Sequence, residues 1–261
     1  MQIIDNEISI LLNKINEGFV DPFINNNLKN FILNGSKYIR ARLAILFLKS
    51  QNYNITDDIY IILAVGELIH NASLLHDDVI DDAETRRGTT TIAKEINPKV
   101  SILAGNYLLS TAVNYLLNIN NDTILTNFNN CITKMIEAEF EQFFLRGNIP
   151  TKDSYLRICK QKTASLFSTI LKSCAYILQV DSSIFERFGE LYGISFQIKN
   201  DLEIKSRKTD EKNGIYTAKD IMGIEKTYNL LDNYKEELYN ILNKFSDNIY
   251  KRELEGLIDL L

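Results

Sequence analysis

The chain has 261 residues and a formal net charge of −5, with acidic and basic residues mixed along its length. This excludes the clustered positive charge that nucleic-acid binding requires, so we expect no nucleic-acid partner. The length fits a single domain over 1–261 with a substantial core. Only eleven glycines and three prolines interrupt the helix-forming residues, and no run of short alternating strands is present. The composition therefore predicts an all-α protein.

Two further features concern the cellular compartment. Three widely spaced cysteines, Cys131, Cys159 and Cys174, are typical of reduced thiols rather than of a disulfide framework or a zinc site. The segment 1–19 alternates charged and apolar residues and lacks the basic start and apolar core of a signal peptide. We therefore expect a cytoplasmic protein.

Turn residues divide the chain into about ten predicted helical segments. They cluster near 18–23, 34–36, 50–56, 87–92, 118–122, 147–153, 179–183 and 211–214. After the third cluster, Thr56 or Asp57 can cap a helix that continues to about Asp81, roughly 25 residues or about 37 Å. Its apolar run is interrupted by Glu67 and His70 before it reaches the roughly 20 apolar residues of a membrane span. We expect a buried core helix and no integral membrane span.

The end of this helix carries the stretch LLHDDVIDDAETRRG, residues 74–88. Asp77 and Asp81 lie one helical turn apart and share a face, where their like charges repel unless a cation lies between them. Carboxylates suit Mg²⁺, which commonly takes one or two of them together with phosphate oxygens of a substrate. Arg86 and Arg87 add guanidinium groups that pair with phosphate. A solvated acidic helix end explains the aspartates alone, but the neighbouring histidine and arginines favour a site for a metal-bound diphosphate.

This stretch resembles the first aspartate-rich motif of the trans-polyprenyl diphosphate synthases, the head-to-tail chain-elongating enzymes such as the geranylgeranyl-, hexaprenyl- and octaprenyl-type synthases. The resemblance implies an isoprenoid-synthase-type bundle of helices around a central cavity, two or three Mg²⁺ ions and a homodimer. It implies metal binding by Asp77 and Asp81, support of the catalytic site by Asp78, and binding of the allylic diphosphate by Arg86.

Upstream, GSKYIRARL (35–43) resembles the G-x-K-x-x-R segment of the same family. The resemblance implies that Lys37, Arg40, His70 and Arg87 bind the diphosphate of isopentenyl diphosphate, the second substrate. Taken alone, a lysine and an arginine on a helix usually face solvent. A histidine on an apolar helix is likewise more often a core residue than a ligand.

A third segment, QKTASLF (161–167), resembles the K-T pair of the family. The resemblance implies that Lys162 and Thr163 contact the allylic diphosphate and take part in catalysis. Without it, the segment reads as an amphipathic helix with a surface lysine and a threonine that bonds back to the preceding turn.

A fourth segment, GISFQIKNDLEI (193–204), resembles the second aspartate-rich motif, F-Q-I-x-D-D-x-x-D. It implies substrate binding by Gln197 and metal binding by Asn200 and Asp201. The chain departs from the motif, because Asn200 and Ile204 replace its first and last acids. An asparagine carbonyl oxygen can ligate Mg²⁺ but neutralises less of its charge.

The segment after this motif also departs from the family. Ile215 stands where many relatives have a lysine, and Lys212 and Lys219 are the candidates to replace it. The matched segments nevertheless keep the family's order and approximate spacing from Gly35 to Thr217.

The resemblance implies Mg²⁺-assisted ionisation of an allylic diphosphate, attack on the carbocation by the double bond of isopentenyl diphosphate, and loss of a proton. Ala72 and Ser73 precede Asp77 by about 6–7.5 Å along the helix. Short-chain relatives carry an aromatic residue there that limits the length of the product. Both residues are small, so we expect a product longer than C15, although small residues can also serve only close helix packing.

Three alternatives stay open. The degenerate second motif is compatible with a weakly active or non-catalytic partner subunit of a heteromeric prenyl synthase, although the first motif is intact. A terpene cyclase also combines an aspartate-rich metal motif with an all-α fold, but the Lys37, Arg40, His70 and Arg87 set would be superfluous there. A purely structural helical protein explains none of the spacing.

Overall fold

A computed structural model describes residues 2–22, 24, 29, 36–203 and 211–261. Gly35 and Ile204 of the predicted motifs, and the predicted turn residues at 23 and 34–35, lie outside the described residues. Contacts divide the chain into two compact units: unit 1 is Met1–Ile45 with Ile55–Leu125, and unit 2 is Leu46–Asn54 with Thr126–Leu261. The expectation of a single domain stays a prediction.

Helices dominate the described residues, which confirms the predicted all-α class. In chain order they are a 3-10 turn (Gln2–Ile4), α1 (Asp5–Glu17), α2 (Ile39–Ser50), α3 (Asp57–Ile80), α4 (Ile92–Glu95), α5 (Pro98–Ile119), α6 (Asp122–Phe144), α7 (Lys152–Ile158), a π-helical segment (Cys159–Ala164), α8 (Ser165–Leu178), α9 (Ser183–Leu202), α10 (Ala218–Met222), α11 (Ile224–Leu242) and α12 (Ile249–Asp259). A short antiparallel hairpin, β1 (Thr85–Arg86) and β2 (Thr89–Thr90), follows α3.

The long predicted helix is α3, which packs against α1 and α5 in unit 1. The Thr56 side chain accepts a hydrogen bond from Ile59 N–H at 3.4 Å and caps the helix start, as predicted. Ile62, Leu63 and Val65 are fully buried, and burial of each such side chain stabilises the fold by about 1.5–3 kcal/mol. The prediction of a core helix is therefore confirmed.

Two described helices, α3 and α5, are long and apolar enough to cross a membrane by length and composition alone. The most apolar window of α3 is 72% buried within the structure, as expected for a core helix. The corresponding window of α5 is 39% buried, and its exposed side chains include Leu103 and Leu117. One face of α5 thus lies in the core of unit 1, and apolar side chains also lie on its surface.

Unit 2 is built around α9, which packs against α8, α11 and the π-helical segment. Its core contains a ring cluster in which the Phe47 centroid lies 5.2 Å from Phe185, 4.5 Å from Phe188 and 5.6 Å from Phe245. Each such ring pair contributes about 0.5–1.5 kcal/mol beyond the burial of its area. This core holds α9, which carries the second predicted motif.

Candidate active site

The first motif lies in unit 1, and its three aspartates differ in their surroundings. Asp78 is buried, and Arg86 Nε–H donates to its Oδ1 at 2.6 Å. Burial raises the pKa of Asp78, while Arg86 acts in the opposite direction. Asp77 and Asp81 are partly exposed, and Asp81 N–H donates to Asp77 O at 2.8 Å, so the backbone stays helical across the motif. The motif therefore has one inward carboxylate that holds Arg86 and two carboxylates that solvent reaches.

The chemistry of the two outer carboxylates fits a magnesium site. Among the residues that the structure describes, no three His, Cys, Asp or Glu side chains form a metal-ligating group. Mg²⁺ commonly uses only one or two protein carboxylates and completes its octahedron with water and substrate oxygens. Asp77 and Asp81, one turn apart, form a donor pair of this kind.

A tight hairpin directly after the motif positions Arg86 and Arg87. β1 and β2 pair with Arg86 opposite Thr89. Arg87 and Gly88 form the two-residue turn, and both have positive φ, 53° and 82°, as a type I′ hairpin turn requires. Gly88 adopts a positive φ without steric cost. A positive φ at a residue with a long side chain, such as Arg87, is unusual. Backbone of this kind is frequent at functional sites, and here it places Arg86 at the end of β1 and Arg87 in the turn that follows.

The side chains predicted to bind isopentenyl diphosphate interact around the middle of α3. Burial holds the pKa of His70 well below its ordinary value, and the positive charges of Arg40 and Arg87 lower it further. One turn earlier on α3, burial raises the pKa of the Glu67 carboxyl, while the same two arginines act in the opposite direction. The structure thus brings Arg40, His70 and Arg87 together and adds Glu67, a buried counter-charge without a predicted role. Lys37 is exposed.

The two residues predicted to limit product length differ in exposure. Ala72 is fully buried within unit 1. Ser73 is partly exposed, and its hydroxyl donates to His70 O at 2.8 Å. A larger side chain at Ser73 therefore requires less repacking of the core than one at Ala72.

In unit 2, Lys162 and Thr163 lie in the π-helical segment between α7 and α8. Such segments are rare and occur frequently at functional sites. α9 approaches the segment closely at Gly193, where a Cβ atom would lie only 2.4 Å from Ala164 Cα. The Thr163 hydroxyl donates to Gln197 Oε1 at 2.9 Å rather than to its own preceding turn. The K-T pair and the second motif are thus in direct contact.

Lys162 is held by two polar side chains of α6. Its Nζ donates to Gln142 Oε1 at 2.7 Å and forms an ion pair with Glu139. These partners lie three residues apart on one face of α6, and neither belongs to a motif of the sequence. Because both orient the ammonium group, Lys162 does not behave as an unconstrained surface lysine.

Asp201, the in-frame acid that the second motif retains, is buried, with 4% of its surface exposed. Its Oδ2 accepts hydrogen bonds from Tyr155 OH at 2.7 Å and Ala218 N–H at 3.0 Å, and its Oδ1 accepts one from Gln197 Nε2 at 2.8 Å. Burial raises the pKa of Asp201, and these donors and the positive charge of Lys219 oppose the rise. Of the two candidate lysines in this region, Lys219 is therefore the one whose charge acts on the motif.

The other positions of the second motif divide between core and surface. Ile198 is fully buried, and the Phe196 ring stacks on Tyr192 with a centroid distance of 6.4 Å. Asn200 is partly exposed near the end of α9. Of the two residues predicted to bind metal on this motif, Asn200 is thus the one that solvent reaches.

Comparison with known proteins identifies the family. A family model for polyprenyl synthetases matches residues 21–256, so the chain belongs to the polyprenyl synthetase family. The chain is 33% identical over 201 residues to a prenyl transferase of Cyanidium caldarium, covering 72% of this chain and 61% of that protein. It is 30% identical over 230 residues to heptaprenyl diphosphate synthase component 2 of Bacillus subtilis, covering 86% of this chain and 66% of that protein. The matched region thus spans less than two thirds of either relative.

A solved structure confirms the predicted fold class. The heptaprenyl diphosphate synthase from Staphylococcus aureus matches 98% of this chain and 96% of its own with a TM-score of 0.90. The sequence identity is 23%, so this likeness concerns the fold.

Proposed function

We propose that this protein is a trans-polyprenyl diphosphate synthase, a prenyltransferase that condenses isopentenyl diphosphate with an allylic diphosphate. The observation that carries the proposal is the difference between the three aspartates at the end of α3. Asp77 and Asp81 are partly exposed, while the buried Asp78 accepts a hydrogen bond from Arg86. Two accessible carboxylates beside an oriented guanidinium suit a diphosphate bound through metal. Membership of the polyprenyl synthetase family supports the same reaction.

On the allylic diphosphate, Asp77 and Asp81 would hold Mg²⁺, with two or three ions expected from the resemblance. When bound, Mg²⁺ neutralises the charge that develops on the leaving diphosphate. Arg86 adds a guanidinium to the same charge, and Asp78 keeps it in place before substrate arrives, so little reorganisation is needed during the reaction.

The second diphosphate, that of isopentenyl diphosphate, would be bound by Lys37, Arg40, His70 and Arg87. The lowered pKa of His70 means that its imidazole is neutral before substrate binds and acts as a hydrogen-bonding group. Glu67 reduces the repulsion between the two arginines, because its carboxylate is near both. These groups hold the substrate so that its double bond can attack, and none of them has to transfer a proton.

On unit 2, Lys162, Thr163 and Gln197 would contact the allylic diphosphate. Glu139 and Gln142 orient the Lys162 ammonium group, which supports a binding role over a solvent-facing one. The resemblance also assigns Asn200 and Asp201 to metal, and of these two the exposure supports Asn200.

We expect a product longer than C15. Ala72 and Ser73 are small at the positions where short-chain relatives carry an aromatic residue. The names of the Bacillus subtilis relative and of the Staphylococcus aureus structure both refer to heptaprenyl diphosphate, a longer chain. Both observations favour a tunnel that continues past the end of a C15 chain.

The assembly that we propose is a cytoplasmic homodimer. The exposed apolar side chains of α5, among them Leu103 and Leu117, are of the kind that subunit interfaces cover. A second candidate is a weakly active partner subunit of a heteromeric synthase. The loss of two acids from the second motif and the word component in the name of the Bacillus subtilis relative favour it.

The test is incubation of the purified protein with isopentenyl diphosphate, Mg²⁺ and allylic primers of increasing length, followed by chain-length analysis of the products. We expect elongated products beyond C15, and none from Asp77→Ala or without divalent metal. The matched control is Glu84→Ala in the same stretch, since its ion pair with Lys94 is exposed and contributes about 0–1 kcal/mol. No product with any primer would refute the stand-alone enzyme and leave the partner subunit, and full activity of Asp77→Ala would exclude the metal role.

A further inference from the structure

The carboxylate of Asp201 is surrounded by donors that belong to the protein itself. Tyr155, on α7, is almost fully buried, and its hydroxyl donates to Asp201 Oδ2 at 2.7 Å. Ala218 N–H, at the start of α10, donates to the same oxygen, and Gln197 Nε2 donates to the other. With three donors and 4% exposure, this carboxylate has little capacity left for a metal ion. Its chemistry is directed inward, towards Gln197.

The hydrogen bonds around Asp201 fix the orientation of the Gln197 amide. Because the carboxylate oxygens accept from three donors, the side of the amide that faces them is the NH₂ group. The carbonyl Oε1 of Gln197 therefore faces Thr163, and the Thr163 hydroxyl must donate to it, as the 2.9 Å contact requires. Reversal of the amide would place its carbonyl oxygen against the Asp201 carboxylate, so that two acceptors face each other at that end.

We propose that Tyr155 and Asp201 are a pair of positioning residues that fix the Gln197 amide and, through it, the Thr163 hydroxyl. Asp201 performs this role in place of direct metal binding. The inference rests on the proposed function, in which Gln197 and Thr163 contact the allylic diphosphate. Tyr155 belongs to none of the motifs that the family resemblance covers.

The first experiment changes only the hydroxyl, with Tyr155→Phe. The readout is binding of an unreactive allylic thiodiphosphate by calorimetry at saturating Mg²⁺, which does not depend on turnover. We expect the dissociation constant to rise about tenfold, because the Gln197 amide and the Thr163 hydroxyl lose their fixed orientation before the ligand binds. The KM for isopentenyl diphosphate should change less than twofold. The matched control is Tyr192→Phe, a buried tyrosine of the same unit whose ring packs against Phe167.

The second experiment separates positioning from metal binding, with Asp201→Asn. If Asp201 is a positioning residue, the Asp201→Asn variant should bind the allylic analogue more weakly than the wild type. The Mg²⁺ concentration that gives half-maximal binding should stay within about twofold of the wild-type value. The double variant with Tyr155→Phe should be no worse than Asp201→Asn alone, since both changes remove one interaction. Circular dichroism and urea unfolding select a temperature at which all variants are folded.

The results separate this inference from the proposed function. Wild-type binding by Tyr155→Phe, or a tenfold rise in the Mg²⁺ requirement of Asp201→Asn, would overturn the positioning role. A wild-type protein that binds the analogue but makes no product would overturn the proposed function alone. Absence of any analogue binding by the wild type would overturn both.

Discussion

Gly193→Ala tests the close approach of α9 to the π-helical segment. A Cβ atom at this position would lie 2.4 Å from Ala164 Cα and 2.7 Å from Ala164 Cβ. The Ala164 Cα belongs to the backbone and cannot rotate away, so the two elements must separate by about 1 Å to restore ordinary contact. The hydrogen bond between Thr163 and Gln197, 2.9 Å long, would then lengthen to about 3.9 Å and be lost.

The magnitude follows from two opposing terms. Overpacking costs about 1–3 kcal/mol, and the better helix propensity of alanine returns up to about 1 kcal/mol. We expect a net loss of about 1–2 kcal/mol in the free energy of unfolding, measured by urea titration. Gly256→Ala on α12 is the matched control, because nothing lies within 4 Å of its Cβ position, and it should gain about 0.5–1 kcal/mol.

A second control separates loss of stability from loss of function. At Gly189, one turn earlier on α9, a Cβ atom would lie 2.7 Å from Ser168 Cα, so Gly189→Ala meets a similar clash further from Thr163. Only Gly193→Ala should weaken binding of the allylic analogue at a temperature where both variants are folded. Equal binding losses in both variants, or wild-type stability of Gly193→Ala, would refute the reasoning.

Three further predictions concern unit 1 and the thiols. Ser73→Phe should shorten the product with less loss of stability than Ala72→Tyr, because Ser73 is partly exposed and Ala72 is buried. Chain-length analysis of the products and urea unfolding of the variants check this. Products of wild-type length from both variants would exclude a length-limiting role for these two positions. The pKa of His70 is lower in the folded protein than in the unfolded chain, so the unfolded chain binds the proton first as the pH falls. Below a pH of about 6.5 the wild type should therefore lose stability relative to His70→Gln, by at most about 1.4 kcal/mol per pH unit. Parallel pH profiles of the two proteins would contradict this. Burial raises the pKa of Cys174 to about 12, so a thiol reagent at pH about 8 should modify it only after unfolding, and rapid reaction of the native protein would show that it is accessible.

Local signals explain why the sequence predicted α3 and the first motif well. A capping threonine, a continuous apolar run and carboxylates at helical spacing act within a few turns of one helix. Thr56 caps the start of α3 as predicted. The last residue of α3, Ile80, lies one residue before the predicted end at Asp81. The difference in exposure between Asp77 and Asp78 follows from the same geometry, since adjacent residues lie on different faces.

Partners that are distant in the chain could not be predicted in this way. Tyr155 bonds to a residue 46 positions later, and Gln142 to one 20 positions later. Neither pair has a local signature, because the contact exists only once separate helices have packed. Glu67 is an intermediate case, since a single acid inside an apolar helix indicates a buried partner but does not identify it.

The second motif shows how a sequence departure and its structural meaning can differ. By the number of acids alone, the replacement of two aspartates by Asn200 and Ile204 predicts a weakened metal site. It therefore favours the hypothesis of a weakly active partner subunit. The surroundings of Asp201 change the weight of that argument, because three protein donors compensate its charge. If the retained acid orders Gln197 and Thr163 instead of binding metal, the metal contact of this motif falls to the partly exposed Asn200. The two replacements then leave the hydrogen bonds of Asp201 intact, and loss of activity does not follow from them alone.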